Sequence, residues 1–207
     1  MVQFVWETCM PKNVLVLFAE GFEEVEAITP VDYLRRAGIE VTTAAIGKDL
    51  IVRGSRGIRV TADTCLASLL EAGALTPASW DGVIVPGGLP GADNLAASKE
   101  TGSFLKEMTA SGKWVCAICA SPARVLSPLG LLTGKQFTCY PGEEEKIIPS
   151  AMAGWKQERV VVDGRLITSR GAGTAGEFAC AIIESLLGNG EGKKIADKAL
   201  LTCAPLH

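Results

Sequence analysis

Apolar residues fall in two patterns along this chain. Residues 13–18, 39–46, 81–85 and 114–118 are short runs with few polar interruptions, the pattern of strands covered on both faces. Between them lie stretches with helical spacing. Residues 23–37 predict a helix with Val25, Ile28, Val31, Tyr33 and Leu34 facing inward, a kink or restart at Pro30, and Gly38 as its terminator. Strand, helix and strand in that order force a parallel pair. Residues 50–52 and 57–61 predict a small hairpin, and Asp63 a cap for a short helix through Leu70. One or two helices occupy 91–110, with Phe104, Leu105 and Met108 inward. A short helix follows at 121–126 and a short strand at 136–139. Asp163–Gly164 predicts a type I′ hairpin between 159–162 and 166–169. Helices are predicted over 175–187, stopped by Gly188, and over 192–200. The whole is an α/β protein with a mostly parallel central sheet covered on both faces.

The 207 residues suit one domain, which would bury roughly 70% of its unfolded surface. Residues 1–11 read as an N-terminal tail and 12–207 as a single domain. The tail has neither the basic start nor the apolar centre of a signal peptide. Twenty basic against 23 acidic side chains, without a basic block, argue against a nucleic-acid partner. No apolar run approaches the ~20 residues of a membrane span. The seven cysteines (Cys9, Cys65, Cys116, Cys119, Cys139, Cys180 and Cys203) are odd in number and mostly in apolar settings. That favours free thiols in a reducing compartment, the cytoplasm, over a disulfide framework.

Candidate chemistry centres on Cys119. It ends the strand run and precedes Ala120–Ser121–Pro122, so a tight strand-to-helix turn aims its thiol out of the sheet. Amides at the start of the next helix would favour thiolate. Pro86–Gly–Gly–Leu–Pro–Gly91 follows another strand. Gly87 and Gly88 there either offer amides to an oxyanion or serve only as turn residues. The weaker Gly171–Gly173 stretch reads as a structural turn. Cys116 and Cys119, three strand steps apart, span roughly 10 Å, too far for a disulfide. A dinucleotide fingerprint is missing after the first strand. With no second C-x-x-C and one histidine, the terminal His207, zinc is not implied. Glu23, Glu24 and Glu26 open the first helix, as dipole partners or as candidate acids. Glu26, between apolar neighbours, is the one expected to point inward. A buried Glu26 and the thiol would titrate as a pair.

The chain resembles the DJ-1/ThiJ/PfpI superfamily, in its DJ-1-like branch. The resemblance rests on Gly21–Phe–Glu–Glu–Val–Glu26 with Pro30–Val–Asp–Tyr–Leu–Arg–Arg–Ala–Gly38, and on Val85–Pro–Gly–Gly–Leu–Pro–Gly–Ala–Asp–Asn–Leu95. It continues in Ala117–Ile–Cys–Ala–Ser–Pro122 and Leu166–Ile–Thr–Ser–Arg–Gly–Ala–Gly–Thr174. It implies a three-layer flavodoxin-like sandwich, of the kind shared with class I glutamine amidotransferases, that forms a homodimer. It places the elbow cysteine at Cys119, its acidic partner at Glu26, and the oxyanion pocket at the backbone of Gly88 and Ala120. Arg56 falls where a family arginine approaches the site, expected from across the dimer interface. Two departures stand out. Tyr140 precedes Pro141 where many relatives carry a histidine, and Ala120 stands where the protease-like branch has one. Cys–His peptidase chemistry is therefore not expected.

The resemblance implies cofactor-free glyoxalase or deglycase-like activity on methylglyoxal and related carbonyl adducts. The alternatives are a stress sensor whose Cys119 is oxidised by peroxide, and a structural or chaperone role.

Overall fold

The computed structural model describes residues 11–201; Cys9, Cys203, His207 and most of the expected tail lie outside them. The elements begin with β1 (Asn13–Phe18), α1 (Glu24–Arg36), β2 (Glu40–Ala45), β3 (Ile51–Arg53), β4 (Arg59–Thr61), β5 (Thr64–Cys65) and α2 (Leu66–Glu71). Next come β6 (Gly82–Val85), α3 (Gly91–Ala97), α4 (Lys99–Ala110) and β7 (Trp114–Ile118). The chain closes with β8 (Val160–Asp163), β9 (Leu166–Ser169), α5 (Ala175–Leu187) and α6 (Glu191–Lys198). Seven strands form one sheet in the order β5-β2-β1-β6-β7-β9-β8, parallel except where β8 runs against β9. The strands β3 and β4 make the expected separate hairpin.

The continuous apolar runs are explained by two covered faces. Leu15 and Leu17 of β1 pack with α2, α3 and α4. Val14, Val16 and Phe18 pack with α1, α5 and α6. In β7, Val115 and Ala117 join the first core, while Trp114, Cys116 and Ile118 join the second. This is the three-layer α/β sandwich read from the sequence. From β1 the chain runs to β2 on one side, whereas β6 pairs on the other. The crevice at such a reversal, beyond the carboxyl ends of the strands, is where ligands bind in open α/β sheets.

Several local expectations are corrected. The buried residues of α1 are Glu24, Glu26, Ala27, Pro30, Val31 and Leu34; Val25 and Ile28 are exposed and Tyr33 only partly buried. At 3.6 residues per turn a stripe through 24, 27, 31 and 34 leaves 25 and 28 one step round the helix. No restart occurs at Pro30, and α1 is one element. Asp63 does not cap α2. Its carboxylate accepts from the Thr43 N–H at 2.9 Å and the Thr43 hydroxyl at 2.8 Å, tying down the sheet edge. Residues 136–139 contribute only a single bridge, Phe137 to Trp155, instead of a strand. The two-residue turn between β8 and β9 is Gly164–Arg165, one position later than expected. Only Gly164 needs positive φ (61°), so it is not type I′. The segment after the elbow is a five-residue π-helical turn, Pro122–Leu126.

Candidate active site

Three chain reversals at the carboxyl ends of β1, β6 and β7 build the site. Cys119, directly after β7, has φ 64°, a left-handed backbone that side-chain-bearing residues rarely adopt. Its N–H donates to the Ser169 carbonyl at 2.9 Å, and its carbonyl accepts from the Tyr140 N–H at 2.8 Å. The strained turn is thus held from both sides. Ser121, wholly buried, donates its hydroxyl to the Pro86 carbonyl at 2.5 Å and ties the elbow to the glycine loop after β6.

That loop lies against the start of α1. The Glu23 N–H donates to the Gly87 carbonyl at 3.0 Å, and the Gly91 N–H to the Gly21 carbonyl at 3.1 Å. The approach is too close for side chains. A Cβ on Gly87 would stand 2.6 Å from both Cys119 Cβ and Glu26 Oε2. Gly87 is also redirected from its expected use. Its N–H donates to Glu26 Oε2 at 3.0 Å, leaving the Gly88 and Ala120 amides to face the sulfur.

Glu26 is almost completely buried and hydrogen-bonds Cys119 Sγ and the Ala172 backbone as well as Gly87. Burial is the main reason its pKa rises from 4.5 to about 7, with the charge of Glu23 adding to it. Glu23 stands close because its side chain caps α1, accepting from the Glu26 N–H at 2.8 Å. The amides expected to favour thiolate are outweighed. Burial, and then the ionised Glu26, push Cys119 well up, against the Gly88 and Ala120 amides. Protonating Glu26 removes its charge and turns it into a donor. The pair therefore releases its first proton near neutrality and holds the second.

The cleft above the sulfur encloses about 370 Å³ and is lined by Glu23, Glu26, Ser55, Arg56, Gly88, Leu89, Cys119, Ala120, Tyr140, Glu143 and Ala172. A roomier cleft of about 460 Å³ beside Phe18 and Asp49 has no thiol, so chemistry and not volume selects the site. Arg56 lines the cleft of its own chain. Ala172 shows that the second glycine stretch, read as a plain turn, contributes to the site. Glu24, read from the sequence only as one of three first-turn acids, has a role of its own. It is buried beside Gly54 and accepts from the Arg56 N–H at 2.8 Å, fixing the loop that brings Arg56 in. Its signal was Gly54–Ser–Arg–Gly57, since a carboxylate needs bare backbone to approach so closely.

A family model described as the DJ-1/PfpI family matches residues 12–185. The chain belongs to the DJ-1/PfpI family. Protein DJ-1 homolog B of Arabidopsis thaliana is 39% identical over 199 residues, covering 96% of this chain. The chain spans 43% of that relative and 48% of the Arabidopsis DJ-1 homolog A, less than half of either. Glutathione-independent glyoxalase DJR-1.2 of Caenorhabditis elegans is 35% identical over 180 residues, 86% of this chain and 90% of that protein. Among solved structures, oxidized Toxoplasma gondii DJ-1 superposes with a TM-score of 0.84 at 38% identity, covering 93% of this chain and all of that one. These likenesses place the chain in the DJ-1-like branch. Among the described residues, no helix is long and apolar enough to cross a membrane.

Proposed function

We propose that the chain is a cofactor-free, cysteine-dependent glyoxalase acting on methylglyoxal and related carbonyl adducts. The observation that carries this is the pair itself: a thiol on a strained elbow, hydrogen-bonded to a carboxyl whose pKa is about 7. A group with that pKa gives and takes protons equally well at neutral pH. In the working state the pair holds one proton. With the proton on Glu26, the Cys119 thiolate adds to the aldehyde carbon. A C–S bond forms and the carbonyl electron pair moves to oxygen, held by the Gly88 and Ala120 amides. Glu26 protonates that oxygen and becomes a carboxylate. It then removes the proton from the same carbon and returns it to the neighbouring carbonyl carbon, while the hydroxyl proton passes between the adjacent oxygens. The product is a thioester of a 2-hydroxy acid. Water, losing a proton to Glu26, cleaves the C–S bond and restores the starting pair. The sum is 2-oxoaldehyde plus water to 2-hydroxy acid, with no net oxidation. Support also comes from the name of the nematode glyoxalase above.

The phenol of Tyr140 has no ring nitrogen to take up a proton and does not replace a histidine. The test is conversion of methylglyoxal to lactate by wild type, Cys119→Ala, Glu26→Gln and Tyr140→His. Wild type should turn over slowly, Tyr140→His faster, and the other two not at all. Equal rates across the series would remove the reading.

A second reading is favoured by the oxidized state of the Toxoplasma relative. Peroxide would convert Cys119 to a sulfinate held by the same amides and by protonated Glu26. Selective gain of two oxygens at Cys119 by intact mass, without methylglyoxal turnover, would select it. A homodimer belongs to either reading. Its support is the exposed apolar side chains of Val25 and Ile28 on α1 and of Ile51 and Ile58 in the hairpin, which Glu24 of α1 holds through the Ile58 N–H. Light scattering of wild type and Ile28→Glu tests it; a monomeric wild type would sink it.

A further inference from the structure

The cleft is larger than methylglyoxal requires. That molecule is among the smallest 2-oxoaldehydes, whereas about 370 Å³ lies in the range that holds drug-sized ligands. Its lining holds the reacting groups, Cys119, Glu26 and the Gly88 and Ala120 amides, together with the polar side chains of Glu23, Ser55, Arg56 and Glu143. Its lining also carries two large apolar side chains, Leu89 at 47% exposure and Tyr140 at 51%. The Tyr140 ring is fixed relative to the sulfur. Its own N–H donates to the Cys119 carbonyl at 2.8 Å. The edge of the ring lies against Gly171, where a Cβ would come within 3.2 Å of Cδ2. The next residue, Ala172, hydrogen-bonds Glu26. The ring is therefore mounted on the same backbone that holds the reacting pair, and half its surface is open.

The geometry points to 2-oxoaldehydes bearing an aromatic substituent as the substrate class, with Tyr140 as the specificity-determining residue; this rests on the glyoxalase reading. The aldehyde carbon must sit at Sγ, with its oxygen at the two amides. The rest of the substrate then lies against the lining, in which Tyr140 is the one aromatic side chain. A flat apolar group there gains burial and an offset stack on the phenol ring, together worth about tenfold in binding.

The test compares initial-rate kcat/KM for phenylglyoxal and methylglyoxal in wild type, Tyr140→Phe and Tyr140→Ala. Wild type and Tyr140→Phe should favour phenylglyoxal by about tenfold. Tyr140→Ala should bring the ratio near one, through the KM of the aryl substrate. An unchanged ratio in Tyr140→Ala, or equal loss in Tyr140→Phe, overturns the inference. A second arm needs no turnover: protection of Cys119 from iodoacetamide by mandelate and by lactate, followed by intact mass. Mandelate should protect wild type at about tenfold lower concentration, and the advantage should vanish in Tyr140→Ala. Equal protection of wild type overturns the inference. No turnover of either aldehyde, with the mandelate advantage intact, supports the aromatic subsite and overturns the glyoxalase reading alone.

Discussion

Replacing Glu26 by glutamine should remove one pH dependence from the stability, by an amount the site itself sets. Burial raises the Glu26 pKa from 4.5 to about 7. Between those values the folded chain keeps a proton that the unfolded chain has released. Raising the pH therefore favours unfolding: the contribution is fully present below about pH 4.5 and is lost as pH climbs through about 7. At about 1.4 kcal/mol per unit, the whole effect is roughly 3 kcal/mol, of which about 2.5 kcal/mol falls between about pH 5 and about pH 8. A glutamine in its place would be neutral throughout and carry no such slope. Urea unfolding of wild type and Glu26→Gln at both pH values, at one protein concentration, measures it. The variant should gain about 2.5 kcal/mol on wild type between the two. Altered hydrogen bonds add an offset common to both conditions, and the other titrating groups cancel. A gain near zero, or one of opposite sign, would refute the argument, because it would mean that the fold tolerates the carboxylate as well as water does.

The same pair sets the reactivity of the thiol. Alkylation of Cys119 by iodoacetamide should rise with an apparent midpoint near 7, the first proton release of the pair. In Glu26→Gln it should move to higher pH, since only burial and the amides then act on the sulfur; an unmoved or lower midpoint counts against the shared proton. Gly87→Ala should leave a folded protein but slow alkylation roughly 100-fold, because the new Cβ would stand 2.6 Å from both Cys119 Cβ and Glu26 Oε2. Near-wild-type alkylation kinetics would contradict that crowding. Ser121→Ala removes the buried donor to the Pro86 carbonyl and should cost roughly 1–2 kcal/mol, a fall in Tm of about 3–6 °C. No change in Tm would mean that this bond adds nothing net.

Much of the site was legible because it follows from local backbone demands. A thiol at the end of an apolar strand, before Ala–Ser–Pro, marks an elbow whatever surrounds it, and Cys119 adopts the left-handed φ such a turn needs. What local reading missed depends on neighbours distant in sequence. Glu24 and Glu26 share one helical turn and both are buried, yet one holds the Arg56 loop and the other touches the sulfur. Gly87 and Gly88 are adjacent, but Glu26 takes the first amide and only the second faces Cys119. Asp63 looked like a cap until the Thr43 backbone competed for its carboxylate.

The amino-acid order alone determined the alternation of strands and helices, because a strand covered on both faces must be apolar at nearly every position. It also determined where the reactive thiol would stand. Only the packed structure decided the charge state of that thiol and its partner. A pKa depends on how much water is excluded and which charges lie within a few ångströms, and residues 26, 87 and 119 become neighbours only once β1, β6 and β7 lie side by side.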